Sequence, residues 1–246
     1  MRAPVAARAR LIYVVRYVFC ISTALLWSVV ACLVGLLERS GESVMWVGRQ
    51  WLRGCVWACG IRIDVEGGEH IDPDQPYVLM SNHQSAFDIA AIAVSLPVSW
   101  RFVAKRELTR IPLFGWSLAL GGHVLIDRQN REAAVASLRR AAERVRAGTT
   151  VIVFPEGTRS VSGALGEFKS GGFHLALDAR VPILPATVSG SARITPRRSL
   201  RIESGRILIR YGKPVPTEGL SLEDRGALKD RVRERILEGF DPALQG

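Results

Sequence analysis

The chain predicts an α/β fold, a mixed and largely parallel sheet covered by helices, behind an N-terminal helical membrane-binding segment. Three observations carry this. Short apolar runs at residues 77–80, 101–103, 124–126, 150–154, 183–188 and 206–210 have the length of buried strands. Helical patterns lie between them, and such alternation builds a sheet covered by helices. At the front, residues 17–37 carry no charge.

That uncharged stretch is long enough, as a helix, to span roughly 30 Å of hydrocarbon. Arg2, Arg8, Arg10 and Arg16 precede it, and Glu38, Arg39 and Glu42 follow, so the positive-inside rule keeps the N-terminus in the cytoplasm. No small-residue cleavage site follows a short apolar core, which argues against a removed signal peptide. Residues 44–63 are amphipathic and carry Trp46, Trp51 and Trp57 with Arg49 and Arg53, an interfacial signature. One full crossing would place the remaining chain outside the cytoplasm. A helical hairpin, or two helices half-sunk in one leaflet, would return it to the inner face. The sequence leaves this topology open, and the return fits a catalytic domain on the cytoplasmic side of an inner membrane. The expected division is 1–63 for the membrane-anchoring helices and 64–246 for the α/β domain.

With 48% apolar residues among 246, the chain can bury a substantial core. A net charge of +10 points to an anionic partner: anionic membrane lipids or a phosphorylated substrate. Only 7% of residues are aromatic and no nucleic-acid motif is present, which sets nucleic acid aside. Cys20, Cys32, Cys55 and Cys59 sit in apolar surroundings without metal-ligand spacing, and read as packing residues without disulfide or zinc.

In the domain itself, the run at 77–80 ends in Ser81, Asn82 and His83, and a new apolar segment begins beyond Asp88. Polar residues at a strand-to-helix junction are held rigidly at an open edge. His83 is a natural general base, because an imidazole titrates near neutrality. Asp88 would fix its tautomer and stabilise the imidazolium. Five positions along a regular helix turn a side chain about 140° past a full turn, so the pair meets only under one condition. His83 must lie in the lead-in while Asp88 folds back from the first turn. The alternative is that Asn82 caps the helix and Asp88 is a solvated first-turn acid. Spacing alone leaves both open.

The other strand ends carry cations. Pro155 stops the run at 150–154 and Gly157 permits a tight turn, so Glu156, Thr158 and Arg159 project from the sheet edge. A guanidinium there can offer a phosphate two parallel bonds. Arg128 ends the run at 124–126, Lys105 follows another, and Lys169 lies in FKSGG. Residues 131–146 form an amphipathic helix that Gly148 ends, and a last helix spans about residues 221–240.

NHQSAFD, KRELTRIPLFG, VLIDR, FPEGTRS and VPILP, in this order, resemble the 1-acylglycerol-3-phosphate acyltransferase family over roughly residues 64–215. The resemblance implies a glycerolipid-acyltransferase-like fold and acyl transfer from acyl-CoA or acyl-carrier protein to lysophosphatidic acid. It makes His83 the base and Asp88 its orienting partner. It places Glu156, Gly157, Thr158 and Arg159 in the acceptor-binding block, with Arg159 on the phosphate, and links Arg128 and Lys105 to the same task. Residues 181–185 match a block with acyl-chain or structural roles. No metal or cofactor is implied. His123 falls at a variable position and receives no role; His70 and His174 read as structural. Related enzymes act on glycerol 3-phosphate, other lysophospholipids or lyso-amino-acid lipids, and a non-catalytic lipid-binding protein could keep the fold.

Overall fold

A computed structural model describes residues 3–160, 163–196 and 199–244; Arg2, one of the four leading arginines, lies outside them. Two helices open the chain, α1 (Ala3–Leu37) and α2 (Glu42–Ala58). The Arg8–Leu37 part of α1 is long and apolar enough to cross a membrane. Gly41, with φ 77°, turns the chain between them, and α2 packs back along α1. The hairpin is fixed along its length: Gly35 meets Val44, Trp51 Nε1 donates to Thr23 Oγ1 at 3.3 Å, and the Cys20 and Cys59 thiols touch at 3.8 Å. All four cysteines are free thiols.

Among the described residues seven strands follow: β1 (Ile61–Glu66), β2 (Val78–Ser81), β3 (Trp100–Lys105), β4 (Val124–Ile126), β5 (Thr150–Val153), β6 (Ile183–Ser189) and β7 (Gly205–Tyr211). They form one sheet in the order β1-β7-β6-β2-β5-β3-β4, parallel throughout except for the antiparallel pair β6–β7. The helices between them are α3 (Phe87–Ser95), α4 (Phe114–Leu120), α5 (Arg131–Arg146), α6 (Gly171–Ala179) and α7 (Ser191–Ile194), and α8 (Arg225–Glu238) follows the last strand. The mixed, mostly parallel sheet agrees with the sequence reading. Strand β1 does not: residues 61–63 belong to this edge strand, and Ala58 ends the amphipathic helix that was expected to run to residue 63.

Alternate side chains on the central strands divide between two cores, as a period of two dictates. Leu79, Ile152 and Leu184 join one cluster with Ile92 of α3. Val78, Val151, Val153 and Ile183 join the other, with Ala142 of α5, Phe173 of α6 and Val232 of α8. Central strands covered on both faces are apolar without interruption, which is why the runs were legible.

The α1–α2 hairpin is seated on this domain. Arg101, 3% exposed, donates to Glu42 Oε1 at 2.8 Å and to the Ser40 carbonyl at 3.1 Å, locking the hairpin turn to β3. At its other end, α1 is held by Tyr13, which donates to Glu203 at 2.8 Å, and by Arg16, which donates to the Ile202 carbonyl at 2.9 Å.

Candidate active site

Strands β2 and β5 are parallel neighbours in register, Met80 opposite Val153, so their C-terminal ends emerge side by side. Such ends are where ligands bind on open α/β sheets. Asn82 does not cap a helix. Its amide is buried, donates to the Val188 carbonyl and accepts from the Val188 N–H, both at 2.8 Å, extending the β2–β6 ladder with a side chain. Helix α3 starts only at Phe87, which puts His83 in the lead-in and Asp88 in the first turn. The condition set by the spacing is met: His83 Nδ1 lies 2.9 Å from Asp88 Oδ2. That oxygen also accepts the backbone N–H groups of Gln84 at 2.6 Å and Ser85 at 2.7 Å. Asp88 is fully buried, which rules out a solvated acid. In the neutral imidazole, donation from Nδ1 leaves the Nε2 lone pair as the basic site.

The block after β5 grips the same histidine. Phe154 stacks on the imidazole, ring centroids 4.0 Å apart at 18°. Ser160 N–H donates to the His83 carbonyl at 2.7 Å. Glu156, 7% exposed, accepts the His83 N–H at 2.7 Å and the Gly166 N–H at 2.8 Å. Burial pushes its carboxyl pKa up, and these two N–H groups with the nearby imidazole work against that rise. Gly157 turns with φ 71°, and its carbonyl accepts from Arg128 Nη1.

A cavity of about 510 Å³ opens beside the histidine, and His83, Lys105, Arg128, Gly157, Thr158 and Arg159 all line it. Of the eight residues named from sequence, Asp88 and Glu156 lie behind this surface, with Asp88 Oδ2 and Glu156 Oε1 committed to His83. Lys105 and Arg128 come together because β3 and β4 pair with Lys105 opposite Ile126. Lys169 lies across from Gly157, where an added Cβ would come within 3.1 Å of its side chain.

The opposite wall is apolar and belongs to the N-terminal hairpin, through Trp27, Ala31, Val44, Met45 and Trp51. Sequence reasoning gave those residues an anchoring role and missed this one. Phe114 adds to the wall and meets Trp51 edge-on, centroids 6.4 Å apart. It is aimed by a γ-turn at Leu113 (φ 64°, ψ −60°), closed by the Phe114 N–H to the Pro112 carbonyl at 2.7 Å. A side chain held at such angles costs about 1–3 kcal/mol, and the Leu113 carbonyl gains the Cys32 thiol as a donor at 3.5 Å. Gly115 follows by necessity, since a Cβ there would sit 2.4 Å from the Leu108 carbonyl oxygen.

The remaining histidines separate clearly. His70 and Tyr211 carbonyl pair at 2.8 Å, and His174 Nε2 accepts from Arg225 at 3.1 Å, both structural. His123, given no role from sequence, lines the cavity and packs against Phe102 and Trp100. Its Nδ1 accepts the Phe102 N–H at 3.0 Å. The ring is half-buried and lines the cavity. This burial, followed by the charge of Arg101, pushes its pKa down to about 3. Residues 183–185 lie within β6, with Ile183 and Leu184 fully buried, a structural role for that block.

The sequence model of the acyltransferase family matches residues 62–189. The 1-acyl-sn-glycerol-3-phosphate acyltransferase alpha of Ovis aries is 41% identical over 182 residues, 74% of this chain and 63% of that protein. The chain thus spans less than two thirds of that relative's length. The beta form of Homo sapiens is 33% identical over 216 residues, 87% of this chain and 78% of that protein. The crystal structure of the 1-acyl-sn-glycerophosphate (LPA) acyltransferase of Thermotoga maritima superposes with a TM-score of 0.79 at 27% identity, covering 95% of both chains. With the matched region running from β1 to the end of β6, through the His–Asp pair and the loop that grips it, the chain belongs to the acyltransferase family.

Proposed function

We propose that the protein transfers a fatty acyl group from acyl-CoA or acyl-carrier protein to the free hydroxyl of 1-acylglycerol 3-phosphate, giving phosphatidic acid. The observation that carries this reading is one cavity in which an imidazole backed by Asp88, the cations Lys105, Arg128 and Arg159, and a long apolar wall meet. The acceptor phosphate lies against the cations, chiefly Arg159, with Gly157 and Thr158 shaping the loop beneath it. Charge-assisted bonds of this kind contribute about 1.5–3 kcal/mol each. The apolar wall takes acyl chain.

His83 Nε2 removes the proton of the acceptor hydroxyl as its oxygen attacks the thioester carbonyl. The new C–O bond gives a tetrahedral oxyanion; its collapse breaks the C–S bond, and the leaving thiolate takes the proton from the imidazolium. Asp88 stabilises that imidazolium. Positioned base catalysis contributes about 10²- to 10⁴-fold. No serine or cysteine stands in a nucleophile-elbow sequence, so attack is direct, without an acyl-enzyme.

The α1–α2 hairpin anchors the catalytic domain, whose sheet begins with β1 at Ile61, at the cytoplasmic face of the membrane, where anionic lipids complement the basic chain. Attachment of α1 to the domain at two separated points, through Arg16 and through Cys32, supports a hairpin lying in one leaflet over a single crossing. The test is acyl transfer by detergent-purified protein across lyso acceptors. Product with lysophosphatidate alone is expected, and turnover confined to another acceptor would move the substrate while keeping the mechanism.

A further inference from the structure

Glu156 stands in the block that resemblance assigns to the acceptor, yet it is not among the residues lining the cavity beside His83; it borders a neighbouring hollow with Thr158, Arg159 and Lys169, and both its oxygens are taken by backbone. One oxygen accepts the backbone N–H of His83 and the other that of Gly166. The His83 carbonyl is taken by Ser160, so the peptide groups on both sides of this residue are fastened to the loop after β5. Gln84 strengthens the seam by donating to the Gly163 carbonyl at 2.6 Å. Phe154 sets the plane of the ring, and Asp88 sets its direction and holds the backbone N–H groups of Gln84 and Ser85 on the α3 side, but neither ties the His83 peptide to the loop after β5.

Resting on the reading of His83 as base, we infer that Glu156 is a positioning residue that places the His83 backbone against the Thr158–Arg159 side of the site, and that it does not contact the acceptor. The physical reason is the geometry of the sheet. His83 and Glu156 follow different strands, and each lies beyond the last ladder pair of β2 and β5. Past that pair, the carboxylate with its two backbone donors joins the Ser160 and Gln84 hydrogen bonds in keeping the base and the phosphate side in one frame. A displacement of about 1 Å in such a frame can cost 10²-fold in rate. Protonation would turn one of these acceptors into a donor facing an N–H, and burial raises the pKa toward that state.

The experiment compares full-length wild type, Glu156→Gln and Arg159→Ala in detergent micelles, varying lysophosphatidate and acyl-CoA independently. Glutamine keeps the shape but opposes an NH₂ to a backbone N–H. The expected result is a kcat lowered about 100-fold with the acceptor KM within about twofold of wild type, while Arg159→Ala shows the opposite split. A raised acceptor KM with kcat retained in Glu156→Gln would overturn the inference and return Glu156 to the acceptor. If that variant does not fold, Gly166→Ala decides. Its added Cβ would come within 2.9 Å of Glu156 Oε2, and it should lower kcat alone. His83→Ala in the same assay separates the two readings, because retained turnover there would remove the base assignment itself.

Discussion

The imidazole of His83 lies flat on Phe154, with centroids 4.0 Å apart and planes 18° from parallel. Phe154 is in turn stacked with Phe102 at 6.1 Å, and Phe102 with His123 at 6.1 Å. The ring plane of the base is therefore set by an aromatic column rising from the core. Stacked pairs contribute about 0.5–1.5 kcal/mol beyond their buried area. Phe154→Leu should lower kcat roughly three- to tenfold with little change in either KM, measured by initial rates on both substrates. An unchanged kcat would mean that Asp88 alone orients the ring.

Asp88 offers one oxygen to three N–H groups, that of the imidazole and those of Gln84 and Ser85. Asp88→Asn removes the charge that stabilises the imidazolium and can present an N–H to Nδ1, reversing the tautomer. The loss in kcat should be on the order of 10³-fold or more, larger than for Phe154→Leu. Steady-state kinetics on folded protein, verified by circular dichroism, tests this ordering.

Arg159 and Arg128 both face the cavity, but Arg128 also donates to the Gly157 carbonyl. Arg159→Ala should raise the acceptor KM about 10- to 100-fold and leave the donor KM alone, as expected for one lost charge-assisted bond. Arg128→Ala should affect kcat as well, since it frees the turn that carries Thr158. Equal effects of Arg159→Ala on both substrates would argue against a phosphate clamp.

His123 should make the fold sensitive to acid. Its folded pKa is depressed to about 3, while an unfolded imidazole titrates near 6.5. Between those values the unfolded chain binds the extra proton, so stability present above about pH 6.5 is lost as pH falls toward about 3. His123→Asn retains an acceptor for the Phe102 N–H and removes the titration. Denaturant melts at pH 7 and pH 5 should show the wild type losing more stability than the variant. Parallel losses would assign the acid sensitivity elsewhere.

Much of this architecture was legible because central strands are uninterrupted apolar runs and their ends carry the chemistry. The His83–Asp88 geometry could be stated from spacing as a condition, since only one backbone path brings the two together. Strand β1 escaped although Ile61, Ile63 and Val65 alternate with charges. It adjoins an amphipathic helix, and the break between them is the single Gly60, φ 65°. The apolar cavity wall escaped for a different reason. Trp27 and Ala31 lie in a run with no polar face, so nothing local tells a lipid-facing position from a cavity-facing one. Glu156 was placed at the sheet edge correctly, but whether a carboxylate after a strand faces a ligand or a neighbouring backbone depends on residues 73 positions away.

The proposed mechanism requires His83 as the base, and the most direct measurement is acyl transfer by membrane-bound His83→Ala. With thioester donor and lysophosphatidate in excess, the variant should be folded, present in the membrane, and slower by about 10²- to 10⁴-fold or more. Turnover close to wild type from that protein would contradict the mechanism.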